Sequence, residues 1–271
     1  VLGIWIVPQF GWQVMFYLAV IPLLLLPLIW TQLPDSVAFL VRQGKIAEAR
    51  KVLAALTGKP LPDDAELAVH QPQKTEQSLA ALFSNNRALS TLMFFQAFFI
   101  CLLMVYGLGS WLPKLMTMAG YGFGSSLMFL LFLNIGGIIG AIGGGWLSDR
   151  FHPRPVLMLF FTLAAVSLAL LGFKSHVAVL YFLVTVAGAT TIGSQILLYA
   201  YVAQFYPTAI RSTALGWSSG VGRIGAILGP VLGGALLAMQ LSHQMNFLAF
   251  VLPGALAVIA IMLTAGRKEA V

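Results

Sequence analysis

The chain has 271 residues, 59% of them hydrophobic and only 8% charged, with a formal net charge of +7 and mean hydropathy +0.93. A soluble domain carries about 25% charged residues, so this composition excludes an ordinary soluble domain and points to a polytopic membrane protein. The positive charge is no nucleic-acid footprint, because Lys and Arg sit in short polar segments between apolar runs, as the positive-inside bias expects.

In chain order, residues 1–7 are apolar but too short to cross a membrane. They read as the tail of a helix that starts before Val1, so the chain is expected to be a fragment. Residues 13–31 are rich in Leu and Pro, with Trp12 and Trp30 as interface anchors; they are expected to form the first complete span, bent at Pro22 and Pro27. Residues 32–87 are the one long polar region. They hold seven Lys and Arg, at 42, 45, 50, 51, 59, 74 and 87, which assigns them to the cytoplasmic side. A short helix is expected to start at Asp35-Ser36, and a second over 45–56 carries Ile46, Ala49, Leu53 and Leu56 on one face, at the membrane surface. Residues 58–74, with three prolines, read as loop. A small soluble domain is the alternative reading of this region, which can bury little core.

Further apolar runs follow at 88–110, 125–147, 155–173 and 177–202, then a glycine-laced run that begins after Thr213 and ends near Ala238, and a last one at 247–265. Outer loops are expected at 111–124, 174–176 and 242–246, a tight polar inner turn at 148–154, and an inner tail at 266–271. The total is seven complete spans beginning at residue 13, an all-α polytopic transmembrane helix bundle. Twelve of the fifteen Lys and Arg fall in inner segments, Lys114 and Lys174 fall in outer ones, and Arg223 lies inside a span.

Two motifs carry a resemblance. Arg211-Ser212-Thr213-Ala214-Leu215-Gly216, followed by Gly220-Val221-Gly222-Arg223-Ile224-Gly225 and Gly229-Pro230, is similar to the eleventh helix of the major facilitator superfamily and the loop before it, in the version found in the aromatic acid:proton symporter family. Gly145-Trp146-Leu147-Ser148-Asp149-Arg150-Phe151-His152-Pro153-Arg154 resembles the superfamily's inner-loop signature in its second-half copy, with His152 where the family pattern usually has glycine, a departure expected to leave the turn less tight. Tyr106-Gly107-Leu108-Gly109-Ser110-Trp111-Leu112-Pro113 and Ala187-Gly188-Ala189-Thr190-Thr191-Ile192-Gly193 make the likeness greatest to benzoate transporters.

The resemblance implies that residues 1–31 are the end of helix five and helix six of a first half, 32–87 the cytoplasmic central loop, 88–265 helices seven to twelve, and 266–271 the tail. It implies a multi-pass protein of the bacterial inner membrane, surrounded by lipid and completed by a missing N-terminal half of about helices one to five. The expected activity is proton-coupled uptake of benzoate or a related aromatic carboxylate by alternating access, with no cofactor and no nucleic acid. Hydroxybenzoate, muconate or another organic acid is the alternative cargo, and a non-transporting sensor the alternative role. All eight Asp and Glu sit in inner segments or the tail; the resemblance puts the acidic signature in the first helix of the missing half.

Candidate substrate-binding residues are Arg223, Gln195, Tyr199, Thr191 and Asn134. A carboxylate in a low-dielectric cavity needs a cation, and guanidinium offers it a bidentate fork; snorkelling or bonding to backbone carbonyls is the structural alternative for Arg223. Gln195 and Tyr199 share a helix face with Thr191 one turn earlier. Each of these polar residues could instead be helix–helix glue. Gly145, Asp149, Arg150, Arg154 and Arg211 are candidate gating residues. Asp149 follows a helix end and needs a partner such as Arg150 or Arg211 to latch two helices in one transport state; a solvated turn is the alternative, and lipid headgroups are the alternative partner for Arg211. Gly216, Gly220, Gly225, Gly229 and Pro230 are candidates for helix packing, since bare backbone admits a close neighbour.

Other hits fail on context. Gly220-x-Gly222-x-x-Gly225 follows no strand, so it is no dinucleotide site, and Gly216-Trp217-Ser218-Ser219-Gly220 lies in a membrane helix rather than on a nucleophile elbow. The four histidines are scattered, and the single Cys101 lies in an apolar run, so no metal site and no disulfide are expected. No nucleophile–base pair is visible within the spans, which argues against an enzyme.

Overall fold

The computed structural model describes residues 6, 9–27, 30, 35, 37–57, 79–173 and 175–264. The expected loop at 58–74, the outer Lys174 and the tail at 266–271 therefore lie partly or wholly outside the described residues. The chain divides into two compact units, residues 1–73 and 74–271.

In the first unit the expected span at 13–31 is not one continuous helix. Helix α1, Gln13–Leu18, gives way at Ala19-Val20 to a 3-10 turn, Ile21–Leu25, which carries Pro22 at its start. Pro22 has no N–H for the carbonyl of Leu18, so the α-helical ladder stops there. Helices α2, Val37–Arg42, and α3, Ile46–Thr57, pack on each other across a turn in which Gly44 has φ +76°. Ala49 is buried on the expected α3 face and Leu53 half-buried, whereas Ile46 and Leu56 are exposed.

The second unit holds α4 (Ala88–Met118), α5 (Phe123–Phe151), α6 (Pro153–Leu171), α7 (Val177–Phe205), α8 (Thr208–Ala238) and α9 (His243–Leu263). Among the described residues these six helices are long and apolar enough to cross a membrane. Three boundaries depart from expectation, one of them the outer loop expected at 242–246, where α9 already begins at His243 with Ser242 accepting from the Met245 N–H at its cap. Residues 111–118 continue α4 instead of forming an outer loop, because Leu112, Leu115 and Met116 are buried and Trp111 is held by α8; that packing outweighs the break that Gly109 and Pro113 would otherwise impose. The inner turn is tighter than expected. α5 runs to Phe151 and α6 starts at Pro153, so His152 alone makes the corner, with φ +69° and ψ 147°. That region of backbone space is hospitable only to glycine.

The helices pack as two parallel pairs. α8 lies along α4 and α5 along α7, and α6 and α9 pack on each other and behind α7 and α4 respectively. Glycines set the seams. A Cβ on Gly225 would meet the Phe99 carbonyl, and one on Gly229 the Leu103 carbonyl. In the other pair a Cβ on Gly136 would meet the Thr185 carbonyl, and one on Gly140 the Ala189 carbonyl. Gly229 approaches Gly107 as Gly140 approaches Gly193, and Gly233 faces Trp111 as Gly144 faces Leu197. The unit is thus an internal repeat, in which α4–α6 correspond to α7–α9 with opposite sense across the membrane, a plan used by transport proteins.

Gly225, Gly229 and Pro230 therefore belong to the seam. Gly216 and Gly220 do not: both are exposed, and nothing lies within 4 Å of where their Cβ would stand. The bare face expected from their spacing is split, because the buried stripe of α8 runs along Ile210, Ala214, Ser218, Gly222, Gly225, Gly229 and Gly233, and the glycines from Gly222 to Gly233 meet α4.

At the end assigned to the cytoplasm, a buried hydroxyl cluster locks the α7–α8 corner. Thr91 Oγ1 lies 2.7 Å from the Leu82 carbonyl, as donor, and 2.7 Å from Tyr206 Oη. Tyr206 is 2% exposed; burial pushes its hydroxyl above the ordinary phenol value, opposed by the Thr91 bond and the Arg87 charge.

Candidate functional site

Along the face between α4 and α7, aromatic rings step toward the cytoplasmic end. Phe98 meets Tyr199 edge-on at 4.9 Å, and Phe94 meets Tyr201 at 5.0 Å and Phe205 at 5.1 Å. Tyr199 Oη is 3.0 Å from Ser219 Oγ on α8, so α4, α7 and α8 converge there. Arg223 stands one turn beyond Ser219, at the centre of α8 and exposed, at the level where Gly222 meets Phe98 and Gly225 meets Phe99. Among the described residues its guanidinium has no ion pair and no hydrogen-bond partner, so the structural pairing considered for it is not made within them.

Of the residues singled out from sequence, Tyr199, Gln195 and Arg223 lie on converging helices, with Gln195 half-buried a turn from Tyr199. Thr191 is different. It is buried, its Oγ1 donates to the Ala187 carbonyl of its own helix at 2.7 Å, and its carbonyl accepts from Cys101 Sγ at 3.5 Å. Its hydroxyl is spent on structure. Asn134 is exposed on α5, its Nδ2 donating to the Leu130 carbonyl at 2.8 Å. It does not join the Tyr199 group, but it is the repeat counterpart of Arg223: each sits two residues before the first seam glycine, Gly136 or Gly225. Sequence reading missed Ser219. Ser219 carried one signal, its place four residues before Arg223 on the same helix face.

The inner-loop group is dispersed. Asp149, in the last turn of α5, is exposed and pairs with neither Arg150 nor Arg211 among the described residues. Arg150 instead lies over the Trp146 and Phe151 rings, at 5.8 and 5.9 Å. Arg154 Nη2 donates to the Met262 carbonyl at 2.6 Å, tying α6 to α9, and Arg211 is half-buried with its Nε unbonded. Gly145 is open, with nothing near its Cβ position. A cavity of about 260 Å³ lies between Ser148, Asp149, Arg150, His152, Pro153 and Gln204. Among the described residues no group of His, Cys, Asp and Glu could hold a metal ion.

The model of the Major Facilitator Superfamily matches residues 135–270, and that of the sugar (and other) transporters matches residues 5–110. The chain is 44% identical over 270 residues to the benzoate transport protein of Acinetobacter baylyi, covering 98% of this chain and 58% of that protein. It is 37% identical to the gentisate transporter of Corynebacterium glutamicum (92% of this chain, 52% of the relative) and 36% identical to a 4-hydroxybenzoate transporter of Pseudomonas aeruginosa (95% and 59%). The chain thus spans somewhat over half the length of these curated relatives. Six membrane-length helices among the described residues, a helix-pair repeat and these matches make it a multi-pass protein of the bacterial plasma membrane, and the chain belongs to the Major Facilitator Superfamily.

Proposed function

We propose that this chain is part of a secondary transporter that takes up benzoate or a related aromatic carboxylate with protons, by alternating access. The observation that carries the reading is the lone cation Arg223, set mid-helix without a partner among the described residues, one turn beyond Ser219, whose hydroxyl meets that of Tyr199. A carboxylate supplies the missing charge through a bidentate contact, and the half-buried Tyr199 ring suits a planar aromatic cargo. The names of the relatives support the same class of cargo. In this reading the repeat rocks against the first half of the protein around a site near the membrane midplane. The proton-accepting acid lies outside α4–α9: Asp149, in the last inner turn of α5, is the one acidic residue on these helices, far from Arg223.

A hydroxylated ring is the second reading, favoured by the Tyr199–Ser219 pair, which could exchange its mutual bond for one to a ring hydroxyl. Competition of labelled benzoate by 4-hydroxybenzoate, gentisate and muconate, measured as both binding and flux in proteoliposomes that hold the chain joined to a first half like that of its relatives, tests the proposal. Saturable benzoate binding with flux supports it. Binding without flux would favour a sensor, and failure of every aromatic acid to compete would remove the cargo class.

A further inference from the structure

The two glycine seams are built alike except at one end. Along most of α4–α8 the contact is backbone on backbone, with the Phe99 and Leu103 carbonyls beneath Gly225 and Gly229. Beyond Gly229, toward the end assigned to the outside, a side chain takes over. The Trp111 indole occupies the space over Gly233 and Gly234, and its Nε1 donates to the Pro230 carbonyl at 2.6 Å. The repeat counterpart of Trp111 is Leu197, which reaches the space over Gly144 through Cδ1 alongside the nearer Phe160 ring of α6, and neither side chain has a donor to offer. The two seams therefore close differently, one with a polar bond and one with apolar contact alone.

We propose that Trp111 is a releasable clasp that holds the outer ends of α4 and α8 together, and that its release lets the end of α4 bend away from α8. Both helices are prepared for bending at this level. Pro113 leaves the Gly109 carbonyl without its helical donor, and Pro230 does the same for the Ala226 carbonyl. Gly109, with nothing within 4 Å of where its Cβ would stand, adds freedom on the inner side of the bend. A backbone-on-backbone seam cannot part without separating the whole helix pair, whereas an indole leaves its seat by a change of rotamer. An indole N–H in an apolar setting keeps a partner while it can, so the clasp has two defined states. The Pro230 carbonyl is also within reach of the Gly234 N–H in the helical ladder, so breaking the clasp does not orphan it. Only the purpose of the opening depends on the alternating-access reading; the clasp is a property of this chain alone.

The test is a distance measurement by electron–electron resonance between spin labels at Met118→Cys and Met239→Cys, on the outer ends of α4 and α8, in a Cys101→Ala background in lipid nanodiscs. Loss of one neutral hydrogen bond shifts a two-state ratio by about fivefold. Trp111→Phe keeps an aromatic ring on the glycine seat and removes the donor. It is expected to raise the ratio of long to short distances about fivefold, while Leu197→Ala leaves the outer distances unchanged. Gly233→Ala keeps the donor but pushes the indole off its seat, and is expected to move the distribution in the same direction. A native distribution in Trp111→Phe would overturn the clasp. So would failure of both Trp111→Phe and Gly233→Ala to give folded, monodisperse protein, since Trp111 would then be a fixed staple. No substrate is present in the measurement, so neither result bears on the aromatic-acid reading.

Discussion

Arg223→Gln is the perturbation with the sharpest expected result. Arg223 is central in α8, Thr208–Ala238, with fifteen residues on either side. At 1.5 Å per residue that is about 22 Å from each helix end, which puts it near the middle of a hydrocarbon core of about 30 Å. A cation there costs about 3 kcal/mol on insertion scales, and among the described residues nothing offsets it. A carboxylate would. Removing one partner of a desolvated charge pair costs 2–5 kcal/mol; about 3 kcal/mol corresponds to roughly 150-fold in affinity. Arg223→Gln should therefore weaken benzoate binding by roughly 100-fold or more, while the ligand-free protein keeps or slightly raises its melting temperature. Arg223→Lys keeps the charge but loses the planar fork, and should fall between, with a loss of about tenfold. The assay is equilibrium binding of labelled benzoate in detergent, with melting temperatures measured with and without ligand. Native binding by Arg223→Gln would refute the reasoning. A collapse in stability with binding intact would show that Arg223 is a structural residue.

Three further outcomes follow from the packing. His152→Gly relieves a backbone conformation that costs a non-glycine residue on the order of 1 kcal/mol or more; its melting temperature should rise, and a fall would mean that the imidazole makes contacts worth more than the strain. Gly225→Ala drives a methyl group into the Phe99 carbonyl and should cost about 2–3 kcal/mol, seen as a lower melting temperature or loss of monodisperse protein, whereas Gly216→Ala meets nothing and should stay within about 0.5 kcal/mol of native; equal effects would sink the seam assignment. Because burial holds the Tyr206 hydroxyl above its unfolded value of about 10, it stabilises fully below that pH and loses its contribution as pH rises through the raised value; Tyr206→Phe should lack this alkaline loss, and an unchanged alkaline profile would count against burial of the Tyr206 hydroxyl as its source.

Much of the fold is legible from hydropathy and charge. The six long helices follow the apolar runs, and the two motifs that carried the resemblance lie at the α5–α6 corner and in α8. What local reading misses is set by partners far away in sequence. Pro113 and Gly109 look like the end of a span, yet α4 continues to Met118 because Trp111 sits on Gly233, a residue 122 positions later (233 − 111). The bare positions Gly216 and Gly220 look like a packing face, yet the helix meets α4 on another stripe, and no sequence period distinguishes the two. At the site, Arg223 was evident as a charge inside an apolar run. Thr191 was not separable from Gln195 and Tyr199, because all three lie one turn apart; burial alone shows that the Thr191 hydroxyl is turned to its own helix. Asp149 was expected to need a partner, but Arg150 goes to the aromatic faces of Trp146 and Phe151 instead.

The function proposed is proton-driven movement of an aromatic carboxylate by a transporter of which this chain is part. The most direct measurement is uptake of labelled benzoate into proteoliposomes under an imposed pH gradient, with this chain alone and with the chain joined to a first half like that of its relatives. The account predicts uptake in the joined form that collapses when the gradient is dissipated and little or none from the chain alone. Gradient-independent uptake, or no uptake by a joined form that is folded and binds benzoate, would contradict it.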